Sequence, residues 1–122
     1  MEIFGDFWSR NRWQEIYSEI MPKIFQYLNY IIRFYSNDHL PIHVHVQIGT
    51  AESKVEFIVR GKDVILIFKR VRGKRPITLA QAREVGIFLK NYRERIIDRW
   101  QQVFIRNEAV ACEVIRTKLK RN

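Results

Sequence analysis

Residues 43–68 read HVHVQIGTAESKVEFIVRGKDVILIF, and this stretch decides the fold. From His43 to Ile48 the side chains alternate. Val44, Val46 and Ile48 fall on one face, with His43, His45 and Gln47 on the other, which is the period of a half-buried strand. Gly49 permits a turn. Alternation resumes from Lys54 to Arg60, with Val55, Phe57 and Val59 opposite Lys54, Glu56, Ile58 and Arg60. Gly61-Lys62-Asp63 is a tight turn. Val64 to Phe68 is a continuous apolar run, the pattern expected of a strand covered on both faces.

Outward from this core, Tyr27 to Tyr35 is rich in Tyr, Ile and Phe and reads as one more strand. Asn37 to Pro41 is a turn, because Asn, Asp and Pro each bend the chain. Residues 6–20 have Trp13, Ile16, Tyr17 and Ile20 at helical spacing, with Asp6 as a candidate cap and Pro22 as the stop. Downstream, Lys69 to Pro76 is a basic loop. Thr78 and Gln81 then form a capping-box pattern. Val85, Phe88, Leu89, Tyr92, Ile96, Trp100, Val103 and Phe104 make one apolar stripe of a long helix, with Gly86 a weak point in it. Val110 to Leu119 reads as a fifth strand more readily than as a short helix. The expected fold is α+β: a four-stranded antiparallel β-meander packed by a long helix from the C-terminal half, plus a short N-terminal helix. Residues 1–20 read as a helical extension and 21–122 as a single domain.

Composition excludes several classes. The single cysteine, Cys112, rules out an intrachain disulfide and a cysteine-based zinc site. It suits a reducing cytoplasm, where a lone thiol packs as a small hydrophobe. No apolar run approaches the roughly 18 residues that span a bilayer, so no membrane partner is expected. There is no Gly-x-Gly-x-x-Gly, Walker or Cys-x-x-Cys pattern. Charge is uneven: residues 1–60 carry six Lys/Arg against seven Asp/Glu, residues 61–122 sixteen against six. The whole net charge of +9 therefore comes from the second half. Such asymmetry points to a nucleic acid or an acidic partner protein; a solvated basic surface is the plainer alternative.

The chemistry-bearing residues are concentrated. All three histidines, His39, His43 and His45, lie within seven positions and follow Asp38. His43 and His45 share a strand face, with Cα atoms about 6.6 Å apart. That spacing suits two imidazoles on one metal ion, with His39 as a third ligand and Asp38 as a fourth or as the group orienting a ring. The same four residues, Asp38, His39, His43 and His45, are equally candidates for acid–base catalysis without a metal. A polar strand face beside a turn, with no chemistry, is the competing reading. Lys69, Arg70, Arg72, Lys74 and Arg75 are the candidate nucleic-acid contacts: five cations in seven residues with no acid, able to reach phosphates without reading bases.

Phe34-Tyr35-Ser36-Asn37-Asp38-His39, followed by Pro41 and His43-Val44-His45-Val46, resembles the signature of a family of small bacterial proteins known as domain of unknown function 4160. Met21-Pro22-Lys23-Ile24 is similar to the start of its members, and Trp100 to a late helical tryptophan. The likeness runs over roughly residues 21–105. This chain has Pro41-Ile42 where the family commonly has Pro-Pro, and some twenty residues ahead of Met21. The resemblance implies no activity, since members are uncharacterised. It does imply kinship with short proteins encoded beside another short protein, in the manner of toxin–antitoxin pairs. Three expectations follow: a nucleic-acid-associated, RNase-like or toxin-type protein; a non-catalytic module docking an acidic partner; and a metal-dependent hydrolase built on the histidine cluster.

Overall fold

The computed structural model describes residues 22–35 and 41–120. Among the described residues six strands form one sheet: β1 Lys23–Tyr27, β2 Tyr30–Arg33, β3 His43–Ile48, β4 Ala51–Arg60, β5 Asp63–Arg70 and β6 Glu113–Ile115. Two helices, α1 Leu79–Asn91 and α2 Arg93–Phe104, lie between β5 and β6 in sequence. The strand order is β5-β4-β3-β2-β1-β6, antiparallel throughout except where β6 joins β1 in parallel.

The turns follow from local chemistry. Gly49 (φ +58°) and Gly61 (φ +61°) each take the first central position of a two-residue hairpin, where a left-handed backbone is needed. The stretch read as one strand, Tyr27 to Tyr35, is instead the end of one strand and the whole of the next. Tyr27 pairs with Tyr30 across a turn at Leu28-Asn29. Leu28 holds φ +54° there, which its side chain does not advertise. Its amide donates to the Ile115 carbonyl at 3.0 Å, tying the turn to β6.

One face of the sheet carries the core. Phe25, Tyr27, Tyr30, Ile32, Val44, Val46, Val55 and Phe57 are buried there with Val85, Phe88, Leu89 and Ile96 of the helices. Phe88 stacks between Tyr27 (4.6 Å) and Tyr92 (4.4 Å), and Tyr30 donates to Glu84 at 2.7 Å. Thr78 and Gln81 form the expected capping box. The apolar stripe packs inward as the spacing predicts, but on two helices rather than one. The break falls at Tyr92 (φ −103°, ψ 13°), whose amide donates to the Phe88 carbonyl and whose carbonyl accepts from the Ile96 amide, each at 2.9 Å.

Two further expectations change. The meander has more strands than four, because β1 precedes it and β6, the read-out fifth strand, closes the other edge. Val64 to Phe68 is an edge strand covered on one face: Val64 is buried, while Ile65 and Ile67 are 41% and 39% exposed on the other. The N-terminal helix and the 1–20 extension lie outside the described residues.

Candidate functional site

Register places one set of side chains on the sheet face away from the helices. Arg33 sits opposite His45, His45 opposite Lys54, and Lys54 opposite Lys69. A transverse row, Arg33–His45–Lys54–Lys69, thus crosses four strands on this face, open in the sense that neither described helix covers it, because directly paired residues share a face. A neighbouring row is Ile31–Gln47–Glu52, and the next on the other side is His43–Glu56–Ile67.

Within this face His45 and Glu52 are buried, at 6% and 2% exposed. Nδ1 of His45 lies 2.8 Å from Glu52 Oε2. The same oxygen accepts from the Tyr35 hydroxyl at 2.7 Å, and Oε1 accepts from Gln47 Nε2 at 3.1 Å. Arg33 Nε in turn donates to Gln47 Oε1 at 3.0 Å. The Tyr35 ring stacks on the imidazole, with centroids 3.5 Å apart and planes 5° from parallel. Burial pushes the Glu52 carboxyl pKa up, but the hydrogen bonds from Tyr35, Gln47 and His45, with the His45 charge, outweigh it, and the net shift is below the ordinary value. Glu52 therefore stays ionised. An ionised carboxylate only accepts, so His45 Nδ1 carries a proton and donates to Glu52.

The loop after β5 fastens this arrangement. The Glu52 amide donates to the Arg75 carbonyl at 2.9 Å, and the Ile77 amide to the Ser53 hydroxyl at 3.1 Å. Arg75 Nη2 reaches Thr50 Oγ1 at 3.2 Å. The basic segment therefore runs directly beside the strand that supplies Glu52.

Of the sequence-derived candidates, His43 and His45 share the open face, with rings 6.1 Å apart and tilted by 57°. His43 Nδ1 is 3.1 Å from the Pro41 carbonyl. Asp38 and His39 lie outside the described residues. Among the described residues no group of three or more His, Cys, Asp or Glu is placed to hold a metal ion. Lys69 is on the open face, paired with Glu56 at 3.1 Å. Arg70 lies opposite Ser53 and so on the helix side, away from the row. Arg72 and Lys74 are exposed on the turn, and Arg75 is held by Thr50.

Tyr35, Gln47, Glu52, Arg33 and Lys54 are the members that sequence reading missed. A signal existed for Glu52. A two-residue turn at Gly49-Thr50 puts 47 against 52 and 45 against 54, so Glu52 is the diagonal neighbour of His45. Starting the strand at Lys54 rather than Ala51 hid it.

A family model described as "Domain of unknown function (DUF4160)" matches residues 29–101 of the chain. No curated protein and no solved structure matches it.

Proposed function

The chain belongs to the DUF4160 family, whose function is unknown, and from the geometry of its open face we propose that it binds the sugar–phosphate backbone of RNA there and cleaves it with His45 as the acid–base group. The observation that carries this reading is the row Arg33–His45–Lys54–Lys69, an imidazole set among three cations, with Glu52 on its far nitrogen. Lys54 and Lys69 stand one strand separation apart, about 4.8 Å, and Arg33 stands two from Lys54 with the imidazole between them.

In this reaction His45 Nε2 takes the proton of a ribose 2′-hydroxyl. The oxygen attacks the adjacent phosphorus to close a 2′,3′-cyclic phosphate, the bond to the 5′-oxygen breaks, and that oxygen leaves with the proton the His45 imidazolium gives back. Glu52 stabilises the imidazolium formed on the way and fixes the ring, aided by Tyr35 stacked on it. Arg33, Lys54 and Lys69 offset charge on the phosphoryl oxygens. A positioned acid–base group of this kind contributes about 10²–10⁴ in rate. A toxin-type role beside an acidic partner chain belongs to the same proposal.

Salt dependence tests the binding half. Three phosphate contacts on a single strand give a log–log slope of about −2, so affinity for a fluorescent single-stranded RNA falls about 15–20-fold between 50 and 200 mM salt. Lys54→Ala flattens that slope by about 0.7. An affinity independent of salt, or no binding at 50 mM, refutes the proposal.

A second reading is docking of an acidic protein without catalysis. The 6% exposure of His45 favours it, since a substrate must reach the ring. The two part at His45→Gln: docking predicts binding unchanged and no cleavage by either form.

A further inference from the structure

We propose that β5 is a self-complementary edge through which two copies of this chain join their sheets. No strand lies beyond β5 in the described sheet. Its closing pair, Arg60 with Asp63, flanks a two-residue turn, and such a pair is hydrogen-bonded. Alternation then turns the amides and carbonyls of Val64, Leu66 and Phe68 outward. The Val64 amide does face that way, capped at 2.9 Å by Asp63 Oδ1 of its own chain.

The side chains select the partner. An antiparallel copy centred on Leu66 keeps every residue on its own face. Asp63 then meets Lys69 of the second copy, Ile65 meets Ile67, Val64 meets Phe68, and Leu66 meets Leu66. The charged pair and the two exposed isoleucines thus complement themselves about a two-fold axis. Natural edges usually carry a charge in the middle to prevent such pairing, and this one has charges only at its ends. On the helix side an open groove of about 590 Å³ lies between Leu66 and Phe68 of β5 and Ala82, Gly86 and Ile87 of α1. Gly86 approaches Leu66 there, while Leu66 and Phe68 stay only part-buried. Arg83 and Lys90 border the groove from the helix, both exposed and long enough to keep their charges in water. Three outward residues in each copy give six backbone hydrogen bonds. On joining, the Val64 amide passes to the partner's backbone and frees Asp63 for Lys69.

One edge-to-edge joint lies at the small end of interfaces, so the dimer is weak and reversible. Sedimentation over roughly 2–500 µM protein should follow a monomer–dimer equilibrium. Asp63→Lys and Lys69→Asp, each placing like charges opposite, should weaken association about tenfold or more. The double variant Asp63→Lys/Lys69→Asp should restore it to within about threefold. Should a variant misfold, the wild type alone decides: hydrogen exchange at the amides of Val64, Leu66 and Phe68 slows as concentration rises. A wild type that stays monomeric, single variants that associate like wild type, a double variant that does not recover, or concentration-independent exchange at all three amides each overturns the proposal.

Discussion

Glu52→Gln keeps the shape of a side chain bonded to three others and removes only its charge. The carboxylate accepts from Tyr35 and His45 on one oxygen and from Gln47 on the other. An amide replaces one acceptor by a donor. If its oxygen stays with Tyr35 and His45, its NH2 faces the Gln47 NH2. Gln47 relieves that clash by flipping, but its own NH2 then faces Arg33 Nε, which now donates to its oxygen at 3.0 Å. The opposite placement keeps every contact, with the amide oxygen on Gln47 and the NH2 donating to the Tyr35 hydroxyl and to His45 Nδ1 in its other tautomer. The variant then loses the charge assistance of three hydrogen bonds. A bond to a charged group contributes about 1.5–3 kcal/mol, so the expected loss is about 2–3 kcal/mol. For a chain of this size roughly 4 °C of Tm corresponds to 1 kcal/mol, which gives a drop of about 8–12 °C at pH 7. The pH dependence carries the sign. The folded pKa of Glu52 lies below its unfolded value of 4.5, so its contribution is full above that value and is lost as pH falls through the folded pKa. The gap between wild type and Glu52→Gln is therefore widest at neutral pH and closes below about pH 4.5. Urea and thermal unfolding from pH 7 to 3 measure it. A variant within about 0.5 kcal/mol of wild type at pH 7, or a gap that does not narrow in acid, refutes the reasoning.

Tyr35→Phe keeps the ring on His45 but removes one donor to Glu52; stability should fall by about 1.5–2 kcal/mol in urea unfolding, and the acid transition should move to higher pH. Thr78→Ala removes the capping box of α1, lowering Tm by roughly 4 °C for a loss of about 1 kcal/mol, readable by scanning calorimetry. Phe88→Ala empties the stack between Tyr27 and Tyr92 and should destabilise by about 3–5 kcal/mol in the same titration. The proposed acid–base chemistry uses no metal, so chelation followed by dialysis should leave RNA cleavage unchanged; loss of activity restored by a divalent ion would move the reaction to the histidine cluster as a metal centre.

The central strands were legible because alternation and two turn glycines state them outright: β3, the second half of β4, and β5 follow from 43–68 alone. The first hairpin was not. Its turn is Leu28-Asn29, and an aliphatic residue at φ +54° gives no turn signal inside an aromatic run. The exposed face of β5 misled for the opposite reason. Ile65 and Ile67 have the composition of a buried strand but lie at an edge. In the site, His43 and His45 were placed on one face by period alone. Glu52 and Tyr35 were not, since one needed hairpin register and the other a contact between separate strands. Of the five-cation run, Lys69 lies in the row of the imidazole and Arg70 on the opposite face, while Arg33 and Lys54 come from the half of the chain with no excess charge.

The most direct test of the central claim is a cleavage time course on an end-labelled single-stranded RNA, run side by side with wild type and His45→Gln at equal bound fraction. The account predicts products ending in a 2′,3′-cyclic phosphate from the wild type and a rate lower by about 10²–10⁴ for the variant, with RNA affinity unchanged. Equal cleavage by both proteins, or none by the wild type while it binds the RNA, contradicts it.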